Sequence, residues 1–169
     1  ALSDVYNREV LAIGGTIDKV YFDALSDYQI GAPAAKEILQ RVKVNFDFEV
    51  RQMISKDSLE MTDADRQEIL SVVQDHSGKH VIITHGTDTM VDTGQVLKQA
   101  MHKTIVIMGA MQPAIMKLTD ADFNLGVAVA AVQTLSEGVY LCMNGRIYNV
   151  DRVVKNRAEG QFQDLGEGL

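Results

Sequence analysis

Two glycine-to-threonine steps, about seventy residues apart, stand out in this 169-residue chain. The first is Ile13-Gly14-Gly15-Thr16-Ile17, and the second is Thr84-His85-Gly86-Thr87-Asp88-Thr89-Met90. Each follows an apolar, strand-like run, and in an open α/β sheet ligands sit at the carboxyl ends of the strands. Two hydroxyls delivered to that edge suit nucleophilic attack on a carbonyl or an amide. An alcohol attacks only when a base takes its proton, and Asp88 is the titratable group beside the second threonine. Attack on an amide also needs donors for the developing oxyanion, and the backbone amides near Thr87 and Ala110 are the candidates. A capping role coexists with this chemistry, because Thr87 or Asp88 can bond the first free amides of a following helix. His85 ends a buried strand and reads as a satisfied core group rather than a base. Neither step is a dinucleotide fingerprint or a P-loop. His76, His80, His85, His102 and Cys142 lack metal-ligand spacing, so no metal and no cofactor are expected.

The elements that must hold these residues alternate from end to end. Strands are expected at Val10–Ile13, Val44–Ile54, His80–Thr84, Thr104–Met108 and Gly138–Met143. Helices are expected over 33–42, 62–76, 88–101 and 122–135, with Thr62 and Asp65 forming a capping-box signature. Pro33 suits a first helical turn, where its missing amide costs nothing. This pattern predicts an α/β fold: a three-layer, doubly wound, mostly parallel sheet of about five strands, flavodoxin-like, with right-handed crossovers. Residues 147–154 read as a turn and a short extra strand. Residues 16–31 show no clean period and read as a long active-site loop. The glycine-rich polar tail over 156–169 reads as a mobile segment, the whole forming one domain over 1–169.

Composition narrows the partners. A net charge of −7 opposes binding to nucleic acid or an anionic membrane surface, and no apolar run is long enough to span a bilayer. Hydrophobic residues make up 46%, enough for a proper core. The single Cys142 cannot form an internal disulfide and sits in an apolar strand. No signal peptide is visible, and a cytoplasmic location is expected.

Taken in order, these motifs resemble those of bacterial-type L-asparaginases. Besides the two threonine steps, Met108-Gly109-Ala110-Met111-Gln112-Pro113 is similar to that family's Gly-Ala-Met-Arg-Pro loop. Asp122-Phe123-Asn124-Leu125, Asp151-Arg152-Val153-Val154-Lys155-Asn156 and Ser55-Lys56-Asp57 also fall in the family's order. The resemblance implies the fold of that family's N-terminal domain and hydrolysis of L-asparagine to L-aspartate and ammonia through an acyl-threonine, with weak glutaminase activity. It implies Thr16 as primary nucleophile and Tyr28 as its activating neighbour. Thr87, Asp88 and Lys155 form a second cluster, Lys155 being the base toward Thr87. Gly15, Ser55, Lys56, Asp57, Gly86 and Ala110 are then the substrate-binding positions. Lys56, Gln112 and Asn156 depart from the family's usual glutamine, arginine and threonine, which puts selectivity at the α-carboxylate end in question.

The chain is expected to be a short, single-domain form that assembles as a homodimer or a dimer of dimers. Two other readings stay open: an asparaginase-like amidotransferase subunit, and a non-catalytic amino-acid sensor.

Overall fold

The structure is a computed structural model that describes residues 8–22 and 27–166. Its centre is a six-stranded sheet. With strands numbered along the whole chain, its members are β1 (Arg8–Gly14), β4 (Phe48–Lys56), β5 (His80–Thr84), β6 (Thr104–Met108), β7 (Gly138–Met143) and β8 (Arg146–Asn149). They lie side by side as β4-β1-β5-β6-β7-β8, all parallel except the antiparallel edge strand β8. The five parallel strands are those read from the sequence; β8 adds a sixth.

The strands form where they do because both faces are covered. β5 and β6 read His-Val-Ile-Ile-Thr and Thr-Ile-Val-Ile-Met, continuous apolar runs rather than alternating ones, as buried parallel strands require. Helices α2 (Asp63–Asp75) and α3 (Met90–Leu97) cover one face, packing Ile69, Leu70, Val73, Met90 and Leu97 on Leu11, Ile83, Ile105 and Leu141. Helices α1 (Ala34–Arg41) and α4 (Ala121–Thr134) cover the other, with Ile38, Leu39, Leu125 and Val132 against Val10, Ile82 and Val106. Helix α2 begins with the expected capping box: the Thr62 side chain accepts from Asp65 N, and Asp65 accepts from Thr62 N. Helix α3 is shorter than the expected 88–101, because the chain turns after Leu97 and His102 takes a left-handed φ of 61°.

Two segments differ from their expected irregularity. Within 16–31 the chain forms a 3-10 turn at Thr16–Asp18 and an antiparallel hairpin of β2 (Lys19–Phe22) and β3 (Asp27–Ile30), pairing Lys19 with Ile30 and Tyr21 with Tyr28. The intervening residues 23–26 lie outside the described set. The polar tail likewise contains a strand. β9 (Val153–Asn156) pairs antiparallel with β10 (Gln161–Asp164), and Lys155 faces Phe162 in the register. Phe162 is the anchor: its side chain is buried, its amide donates to Asn144 Oδ1 at 2.9 Å, and its carbonyl accepts from Tyr148 Oη at 2.8 Å. Residues 167–169 of that tail lie outside the described set. No described helix is long and apolar enough to cross a membrane.

Candidate active site

The strand order turns back between β1 and β5. The chain leaving β1 runs to α1 on one face, and the chain leaving β5 runs to α3 on the other. A crevice opens at such a reversal, outside the carboxyl ends of the strands. Gly15 and Gly86 meet at its floor. A Cβ built on Gly15 would stand 2.4 Å from both Cα and N of Gly86, so the backbones touch where side chains would forbid it. Gly15 also has φ +84°, a left-handed value natural to glycine. Its amide donates to Lys56 O at 3.0 Å, which ties the turn to β4 on the other side. Thr16 and Thr87, each one residue further on, therefore lie at one mouth.

Thr87 is buried and its hydroxyl is held. Lys155 Nζ donates to Thr87 Oγ1 at 2.8 Å and to Asp88 Oδ1 at 2.7 Å. Arg157, not singled out from the sequence, adds a second cation 3.7 Å from the same Asp88 oxygen. Short charge-assisted bonds of this kind fix geometry as well as charge. Thr16 is half-buried in the first residue of its 3-10 turn. The loop after β6 closes another side. Met111 N donates to both oxygens of Asp120, Gln112 N to one of them, and Asn124 Nδ2 to Gly109 O, which leaves buried Ala110 between fixed neighbours. The loop reaches back to the first turn through Ala114 N, which donates to Ile17 O at 3.1 Å.

The segment after β4 is placed differently from the sequence reading. Ser55 is exposed on β4 and its hydroxyl accepts from Gln52. The Lys56 ammonium is bound to both oxygens of Asp65, at 3.0 and 2.9 Å, and so belongs to the cap of α2. Asp57 caps the next turn through Leu59 N and pairs with Lys19 at 3.1 Å. Burial acts to raise the Asp57 carboxyl, but hydrogen bonds from Lys19 and Leu59 outweigh it and hold the carboxyl below its ordinary range. The residue that touches the second threonine turn is Ser58. It is buried, its Oγ accepts from Asp88 N at 3.2 Å, and its carbonyl accepts from Thr89 Oγ1 at 2.7 Å. A Cβ on Gly86 would stand 2.5 Å from Ser58 Cβ. Just before the turn that holds Ser58, β4 carries a register shift: Ala12 pairs with Gln52 but Gly14 pairs with Lys56, two extra residues beside the bulge.

Tyr28 stands on β3, 46% exposed, edge-on to Tyr21 with ring centroids 5.8 Å apart. Its hydroxyl bonds no other described residue, Thr16 included. The hairpin that carries it is rooted at Asp18, whose backbone carbonyl accepts from Gly31 N at 2.7 Å and whose carboxyl accepts from Ala34 N at 2.8 Å. Burial pushes the Asp18 carboxyl up to about 6, against the lowering effect of the Ala34 amide. The folded state then keeps a proton that the unfolded chain sheds near 3.8. That stabilisation is full below the unfolded value and is lost as pH rises through about 6. Asp18→Asn keeps an acceptor for Ala34 N and drops the charge. It should raise stability at pH 8 by up to about 3 kcal/mol and leave it unchanged below pH 3.8, measured by urea unfolding at both pH values. Equal midpoints for the two proteins at pH 8 would count against a buried charge cost at Asp18.

His85 is the core group the sequence suggested. It is fully buried, with Nδ1 2.7 Å from Gly86 O and Nε2 2.8 Å from Thr93 Oγ1. Burial lowers its pKa to about 4, so the ring is neutral near pH 7. Cys142 is buried and burial pushes its thiol up to about 12, which removes it as a nucleophile. Among the described residues no group of His, Cys, Asp and Glu has metal-binding geometry.

A family model described as "Asparaginase, N-terminal" matches residues 9–163. A "Probable L-asparaginase periplasmic" of Haemophilus influenzae is 30% identical over 164 residues, covering 90% of this chain and 47% of that protein. A component of the glutamyl-tRNA(Gln) amidotransferase of Methanococcus vannielii is 28% identical over 166 residues, covering 91% of this chain and 37% of that one. In three dimensions the thermostable L-asparaginase from Thermococcus kodakarensis aligns with a TM-score of 0.79 at 26% identity. That alignment covers 94% of this chain and 51% of that structure. The chain thus spans about half the length of these relatives, or less.

Proposed function

The chain belongs to the asparaginase family, and from that membership we propose that it hydrolyses L-asparagine to L-aspartate and ammonia through an acyl-threonine. The observation that carries the reading is the convergence of two threonines at one mouth, with the hydroxyl of Thr87 bonded to Lys155 at 2.8 Å. In the first half-reaction Thr16 Oγ bonds to the side-chain amide carbon, the C–N bond breaks, and ammonia leaves with the threonine's proton. In the second, water adds to the acyl carbon, the bond from that carbon to Thr16 Oγ breaks, aspartate leaves, and one of the water's protons returns to Thr16 Oγ. The Thr87–Lys155 pair moves the protons of the water step, a role that their 2.8 Å bond supports. Tyr28, on the hairpin that follows Thr16, takes the Thr16 proton and passes it to the leaving ammonia. Asp88 keeps its second carboxylate oxygen for the substrate's α-amine, and Ser58, rather than Ser55, is the hydroxyl beside it. Ala110 offers its backbone to the side-chain amide.

The test is ammonia release from L-asparagine and L-glutamine by the full chain, with hydroxylamine present to trap the acyl group. Asparagine should yield ammonia and aspartyl hydroxamate. Glutamine should react about 10–200-fold less well, the discrimination one methylene commonly gives. No ammonia from either substrate, with a folded chain, would remove the hydrolase reading. A cytoplasmic, homo-oligomeric protein is part of the same reading. The amidotransferase relative favours a second one, in which a partner consumes the ammonia; ammonia release that rises only when a partner is added would favour it.

A further inference from the structure

We propose that Thr93 is a positioning residue, acting through His85 to aim the Thr87 backbone amide at the substrate oxygen; this rests on the amide-hydrolysis reading above. Each hydrogen between α2 and Gly86 has a determined owner. Gly86 O can only accept, so His85 Nδ1, 2.7 Å away, carries the proton. In the neutral ring Nε2 is then an acceptor, and its partner Thr93 Oγ1, at 2.8 Å, must donate. Thr93 can spend its one hydrogen there because Arg66 Nε, a donor only, supplies the bond Thr93 accepts, at 3.2 Å. Thr93 and His85 are fully buried and Arg66 nearly so, leaving water little part in the chain of bonds. Arg66 is held on α2 and faces Asp63 at 3.5 Å. The relay is thereby fixed in direction from end to end.

The consequence lies in one planar unit. Gly86 C=O and Thr87 N–H belong to the same trans peptide and point in opposite directions. Fixing the carbonyl toward the buried ring turns the amide the other way, out of the core. That amide donates to no described group, although its neighbour Asp88 N is bound to Ser58. An unpaired donor beside the Lys155-bound hydroxyl, with its plane locked from behind, is what an oxyanion requires. Preorganised donors cost no rearrangement as charge develops.

Thr93→Val removes the hydroxyl at nearly constant shape, and Thr93→Ser restores it. The Val variant should lower kcat about tenfold with KM within about twofold, less than the 10²–10³ typical of deleting such a donor. The Ser variant should stay near the unmodified rate. Ring ¹⁵N shifts should show Nδ1–H in all three proteins, because Gly86 O keeps that proton, with the Nε2 shift and the Thr87 amide resonance displaced only in Val, where Nε2 has lost its donor. A Val variant with unchanged kcat, or a Ser variant as slow as Val, overturns the proposal. If the unmodified chain releases no ammonia, the hydrolase reading fails at that step and the resonances judge the relay alone. A Val protein whose His85 and Thr87 signals match the unmodified ones would then overturn it.

Discussion

Thr16→Ala should lower kcat for asparagine by about 10⁴-fold or more and abolish hydroxamate formation, with KM within a few-fold. Loss of a nucleophile is that severe because no binding contact replaces a bond to the acyl carbon. The substitution touches little else. Thr16 is half-buried at the start of a short turn, and that turn is held by backbone bonds, Asp18 N to Gly15 O at 3.2 Å among them. The folded stability should therefore stay within about 1 kcal/mol of the parent. In this reading Thr87, bonded to Lys155, serves the water step and not the first attack. Turnover in Thr16→Ala within tenfold of the parent would instead make Thr87 the attacking group.

Gly15→Ala should be nearly as damaging, for a steric reason. The new methyl would meet Gly86 Cα and N at 2.4 Å and the His85 carbonyl carbon at 3.0 Å, all of them backbone. Neither side can yield easily. Gly15 is bonded to Lys56 O, and Gly86 is backed by Ser58 and the buried His85 ring. The Gly15 backbone, φ 84° with ψ −173°, lies in a region essentially restricted to glycine, which adds about 1–3 kcal/mol of its own. A total of about 3–5 kcal/mol is expected, with activity lost even in molecules that fold, because the two threonines are forced apart. Gly126→Ala is the control: nothing lies within 4 Å of its Cβ position, and a mid-helix alanine should be neutral or stabilising by up to about 1 kcal/mol. Urea unfolding of both variants beside the parent decides the matter, and a Gly15→Ala midpoint equal to that of Gly126→Ala would refute the packing argument.

The frame is legible in the sequence because its signals are local. Parallel strands such as β5 and β6 declare themselves as unbroken apolar runs, and the α2 start declares itself through Thr62 and Asp65. What stays hidden depends on pairing between distant residues. The motif points to Ser55, whereas the contact that Ser58 makes with Asp88 spans 30 residues and leaves no local mark. The β2–β3 hairpin is hidden because Asp27, Tyr28 and Gln29 are all exposed, so no alternation betrays a strand. Strand β10 has one buried apolar residue, Phe162, among glutamines and an aspartate, and only its bonds to Asn144 and Tyr148 show why it is held. Arg157 follows from that hairpin in turn. Lys155 is visible in the sequence only through its resemblance to a motif; its contact with Thr87 spans 68 residues and depends on where β9 lies.

The strand order β4-β1-β5 carries a consequence of its own. The crevice exists because neighbouring connections diverge, a matter of wiring rather than of any side chain. Side chains around the crevice can change without moving it, because the backbone sets its place. Chemistry on this scaffold is thus free to drift while its location is inherited.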